Sequence, residues 1–187
     1  MLAIKNATVN TVTNGIIEKG TVLIDGNRIR AVGKRVAVPK DADVIDASGR
    51  YVMPGIIDAH CHICVYQSPH PSNDMYDLNE STYPTTPHVR ALEAVYTDDL
   101  AIKEARRGGL TTVCTLPGST NVCGGTGVVL KLKEAKTVEE MVIPGKEPMK
   151  FALGENPRAT FGKRNEYFKT RMGIGGCFRE FLSYAKK

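Results

Sequence analysis

One stretch narrows the folds open to this chain more than any other: residues 51–62, YVMPGIIDAHCH, where an apolar run leads into two histidines spaced i, i+2. On an extended strand that spacing places His60 and His62 on one face and turns Cys61 to the other. The run before them is apolar on both faces, which predicts a buried strand of the parallel type. Two neutral imidazoles at the end of such a strand are half of a divalent-metal site. A lone histidine is more often a satisfied core residue. The pair, following Pro54-Gly55 and Ile56-Ile57-Asp58, favours ligation instead.

The residues around this strand read as a small β-domain followed by alternating strands and helices. Residues 20–24 (GTVLI), the Asp25-Gly26-Asn27 turn and the alternating run after it predict a hairpin. The first fifty residues hold no histidine and no converging acids, so they are expected to carry no chemistry. Further on, Thr97 reads as an N-cap, with Asp98 and Asp99 in the first turn of a helix. Ala101, Ile102 and Ala105 give it an apolar stripe, and Arg106, Arg107 and Gly108-Gly109 close it. Residues 110–116 predict a second strand, and strand–helix–strand implies a parallel sheet. The glycine-rich residues 117–127 lack the G-x-x-x-x-G-K-[ST] of a phosphate cradle and read as a loop. A short strand is expected over 149–153. Phe178, Phe181, Leu182 and Ala185, at i, i+3, i+4 and i+7, predict a final helix.

Composition excludes several function classes. With 42% hydrophobic and 24% charged residues, the 187-residue chain reads as a soluble globular protein of one or two domains. No run approaches the ~18 apolar residues of a spanning helix, and the N-terminal residues lack the pattern of a secretory leader. No membrane association and a cytoplasmic location are therefore expected. The net charge of +5 is spread over turns and helix ends, and there is no Trp, which argues against nucleic acid as a partner. Five cysteines without framework spacing predict reduced thiols. Cys61 and Cys64 form a C-x-x-C, but Cys61 is expected inside a strand, not at the helix N-terminus that activates a redox thiol. No second pair completes a zinc knuckle.

The segment PGIIDAHCH, together with GLTTVCTLPGSTNVCGGTG (109–127), MKFALGENPRATFG (149–162) and TRMG (170–173), resembles the metal-dependent amidohydrolases. The resemblance extends over essentially the whole chain and matches the N-terminal half of such an enzyme. It implies an α/β fold: a partial TIM-like (β/α)8 barrel (residues 51–187), preceded by the N-terminal part of a small β-sandwich (residues 1–50). In that arrangement the proline-rich residues 64–89 would lie over the catalytic mouth. His70 and His88, in or beside that segment, read as surface histidines.

The implied activity is hydrolysis of a non-peptide C–N bond, in a cyclic or linear amide or amidine, by a metal-activated water. A Zn²⁺-like ion lowers the pKa of bound water to about 7 and polarises the carbonyl. His60 and His62 are the expected ligands of a divalent ion, Zn²⁺ by preference. Glu155, directly after an apolar strand, is the best-placed third. The family pattern offers a strand-end lysine, carboxylated and bridging two metals, or a glutamate in its place. Glu155 in GENP matches the glutamate variant, and Lys131 in VVLKLK competes less well for the lysine variant. The pattern's later histidines and its general-base aspartate have no counterpart, since no His or Asp follows Glu155. The expectation is therefore an enzyme acting on a small-molecule substrate, completed by a C-terminal half or by homo-oligomers. The alternative is a catalytically incompetent fragment or assembly subunit.

Overall fold

The computed structural model describes residues 1–69, 77–164 and 167–187, so His70 lies outside the described residues. The chain forms two compact units, Met1–Gly55 and Ile56–Lys187.

The first unit is a five-stranded sheet of β1 (Leu2–Asn10), β2 (Ile16–Asp25), β3 (Arg28–Gly33), β4 (Asp43–Asp46) and β5 (Tyr51–Val52). Its order is β3-β2-β1-β4, with β5 also pairing with β1. The expected hairpin is β2–β3: Asp25 pairs with Arg28, and Gly26 takes φ +57 in the two-residue turn, a conformation that favours glycine. Ala7, Val9, Val22 and Ala47 form the core on one face.

Residues 51–62 do not form the single buried strand that their apolar run predicts. Tyr51–Val52 pairs parallel with β1 in the first unit, and β6 (Ile56–Cys61) opens the second. The break falls at Met53-Pro54-Gly55, where Pro54 has no N–H to give a ladder. The division between units thus lies after Gly55, five residues beyond the sequence expectation. Nor is β6 buried: it is the edge of a three-stranded sheet ordered β6-β7-β9, and Ile57 is 69% exposed.

In the second unit, β6 leads through α1 (Leu100–Arg107) to β7 (Leu110–Thr115), which pairs parallel with it. This is the expected βαβ unit. The N-cap of α1 is Asp99, not Thr97, because the Asp99 side chain accepts the Ala101 N–H. β9 (Val128–Lys131) adds antiparallel to β7. Along β7 and β9, Val113, Val128 and Leu130 face a core with Cys64, Ile102 and Met141, while Cys114 and Val129 line an open cleft on the other face. That alternation is the period of two made visible. Residues 117–127 are not loop throughout: β8 (Cys123–Thr126) pairs antiparallel with β10 (Met149–Phe151). α2 (Glu155–Lys163) and the expected final helix, α3 (Arg171–Ala185), pack through Phe161, Phe168 and Ile174. The fold is mixed α/β with open sheets, and among the described residues no barrel is closed.

Candidate metal centre

β6 delivers both histidines to one place. The His60 and His62 ring centroids are 5.4 Å apart at 87°. Cys61, between them, packs toward the core and lies 3.7 Å from the Thr115 hydroxyl. His62 Nδ1 is 2.8 Å from the Leu116 carbonyl oxygen. A carbonyl can only accept, so Nδ1 carries the proton and Nε2 is left with its lone pair, the tautomer that a metal ligand needs.

The third group at this place is Lys150, on β10. Its Nζ stands 3.1 Å from His60 Nε2, although the residue is only 8% exposed. Lys150 pairs with Gly125 across the β8–β10 ladder. A Cβ on neighbouring Gly124 would sit 3.5 Å from the Lys150 Cγ, so the lysine stem runs close over this glycine backbone. Burial lowers the Lys150 pKa from its ordinary value. The His60 pKa is lowered too, first by the Lys150 charge, then by burial and by His62. His60 and Lys150 border a cleft of about 640 Å³ with Asp58, Cys114, Leu116 and Phe151.

Glu155 is placed otherwise. It is the first residue of α2, its side chain is 71% exposed, and its carboxylate pairs with Arg158 one turn on. Among the described residues no three His, Cys, Asp or Glu side chains gather as a metal set, so Glu155 is not brought to His60 and His62. Lys131 is exposed on β9, where its Nζ donates to the Thr112 hydroxyl at 2.8 Å. His88 borders a separate cleft with Asn79 and Arg90. All five cysteines are free thiols. Burial, followed by the Asp99 carboxylate, pushes Cys64 up to about 12, and burial raises Cys61. Neither has the character of a redox thiol. Lys150 is the residue that sequence reasoning passed over. Its one signal is a charged residue between Met149 and Phe151 at the middle of an apolar strand.

No family model matches the chain. The whole chain superposes on the crystal structure of an amidohydrolase from Thermotoga maritima MSB8 with TM-score 0.91 and 37% identity, covering 48% of that chain. The chain belongs to the amidohydrolase superfamily. It is 32% identical to amidohydrolase tasK of Hapsidospora irregularis over an alignment of 182 positions that covers 90% of this chain and 18% of that protein. It is 31% identical to a dihydroorotase of Staphylococcus epidermidis over 147 residues, which is 77% of this chain and 28% of the relative. The chain thus spans under half the length of its solved relative and under a third of these two sequence relatives. No helix among its described residues is long and apolar enough to cross a membrane.

Proposed function

We propose that this chain is the metal-holding part of a hydrolase that cleaves a non-peptide C–N bond in a cyclic or linear amide or amidine. Its relatives' names, amidohydrolase and dihydroorotase, support a C–N hydrolase. The observation that carries the metal assignment is the meeting of His60 and His62, at the C-terminal end of β6, with the buried Lys150 amine from the middle of β10. β6 and β7 then stand as the first parallel strands of a (β/α)8 barrel, a reading supported by the close superposition on the Thermotoga amidohydrolase.

The residues fit a divalent ion, Zn²⁺ by preference, in a particular way. His62 Nε2 is a ready donor, and His60 Nε2 becomes one when Lys150 withdraws. Lys150 itself is a cation and ligates nothing until it changes. Burial favours its neutral amine, which can add CO₂ and release a proton, turning the cation into an anionic carbamate. This is the lysine variant of the family pattern, with Lys150 in the role expected of Glu155 or Lys131. A bound ion would supply the Lewis acid and the acidified water. The apolar cleft wall formed by Phe151, Leu116 and Val129 would limit water around the substrate. Five free thiols suit a reducing cytoplasm.

Zinc titration of purified protein in bicarbonate buffer tests the assignment. His62→Ala and Lys150→Ala should each weaken binding by at least the roughly 10–100-fold that outer partners of metal ligands cost. Glu155→Ala should leave it unchanged. Equal losses in Glu155→Ala and His62→Ala, with none in Lys150→Ala, would restore the glutamate variant. Bicarbonate dependence in wild-type protein but not in Lys150→Ala would mark the carbamate.

A further inference from the structure

Asp99 is a buried carboxylate whose place helix capping alone does not explain. It is 2% exposed, and such a group persists only where hydrogen bonds replace its water. Its Oδ1 accepts the Ala101 N–H at 2.9 Å, the ordinary N-cap bond of α1, which a serine hydroxyl could supply equally well. Oδ1 also accepts the Ser68 N–H at 3.0 Å, and Oδ2 accepts the Cys64 N–H at 2.8 Å. Those two donors are 31 and 35 residues away in sequence, on the segment that directly follows His62. Backbone bonds run the same way: Tyr96 N–H donates to the Cys64 carbonyl at 3.0 Å and Leu100 N–H to the Ser68 carbonyl at 3.3 Å. Cys64 has φ +74, a conformation that a non-glycine residue keeps only where its surroundings impose it. The turn so formed brings the Val65 and Tyr66 N–H groups onto the His62 carbonyl, at 3.2 and 2.8 Å. Beyond that backbone the His62 ring donates to Leu116.

We propose that Asp99 is a positioning residue for the metal centre. By fixing the Cys64 turn it holds the His62 backbone, and through it the ring that presents Nε2. The role rests on the metal reading of His60 and His62 given above. Capping and positioning make separable demands, because the first uses one oxygen and the second uses both.

Two variants separate them. Asp99→Asn keeps an oxygen for Ser68 and Ala101 but turns an amide NH₂ against the Cys64 N–H. Asp99→Ser keeps the helix cap alone. For each, zinc affinity is titrated, and the His62 tautomer of the metal-free protein is read by long-range proton–nitrogen NMR. Circular dichroism and the thermal midpoint check the fold. Both variants should fold, lose the single Nδ1–H tautomer of His62, and bind zinc about tenfold to a hundredfold more weakly. A folded Asp99→Ser protein with wild-type affinity and tautomer would overturn the proposal and leave Asp99 a cap. Failure of both variants to fold would overturn it as well, by making the carboxylate a need of the whole unit. If wild-type protein binds no zinc, the metal reading fails on its own, and the tautomer comparison still decides the role of Asp99.

Discussion

His60 and Lys150 compete for the same proton, and the contact between them sets the pH behaviour of the centre. With Nζ 3.1 Å from His60 Nε2, an ammonium on Lys150 makes a second positive charge on the imidazole costly. His60 is therefore held below its ordinary 6.5. The sign follows from proton linkage. Between 6.5 and the lower folded value, the unfolded chain takes up a proton that the folded chain refuses, so stability falls as pH drops through that window. Replacing Lys150 by Met removes the first cause and keeps an apolar stem in the buried position. In metal-free Lys150→Met, the NMR titration midpoint of His60 should move upward from its wild-type value. An unmoved midpoint would mean that the ammonium is not the group that depresses it.

At the scale of elements, the ladder that carries Lys150 depends on a glycine. Gly125 pairs with Lys150 and has φ +97, and a Cβ there would run into the Val89 carbonyl. That carbonyl is itself fixed by the Thr126 N–H at 2.8 Å. Gly125→Ala should therefore destabilise the protein by roughly 1–3 kcal/mol from conformation alone, more with the clash, as read by urea unfolding. Zinc binding should fall with it, since β10 would shift. Gly124 and Gly125 explain why β8 is invisible in the sequence: glycine is depleted in strands, and close backbone approach, not side-chain packing, puts Cys-Gly-Gly-Thr in a sheet. Elements set by local chemistry were legible, among them the β2–β3 hairpin, the βαβ order, and α1 with its terminal arginines and Gly108. The cap of α1 was misplaced by two residues, because Thr97 and Asp99 are equally good caps locally and only the distant Cys64 and Ser68 amides select Asp99. His60 and His62 could be read because their spacing is local to one strand. Lys150 could not, because its meeting with His60 depends on the pairing of β10 with β8, ninety residues along the chain from His60.

The second unit as a whole presents an unpaired strand edge beside an apolar cleft, and that combination predicts how the chain behaves in solution. Among the described residues β6 pairs as a strand with β7 alone, and Ile56 and Ile57 on it are 44% and 69% exposed. Met149 and Phe151, each 37% exposed, border the adjoining cleft. Open strand edges carrying apolar side chains template pairing with other chains. This agrees with the sequence expectation of a complementary half or a second copy, and we propose that further polypeptide completes the face. A charge on the edge tests it without touching the core. Because Ile57 already faces solvent, Ile57→Lys should change monomer stability by no more than about 0.5 kcal/mol. The lysine would nonetheless set a hydrated charge where an incoming strand would have to lie, the device natural sheets use to blunt their edges. Light scattering across a concentration series should then show wild-type protein associating and Ile57→Lys remaining monomeric. Adding salt should restore little of the association, since the lysine acts by desolvation at a buried contact more than by long-range repulsion. Equal association in both proteins, with equal thermal midpoints, would move the interface away from β6.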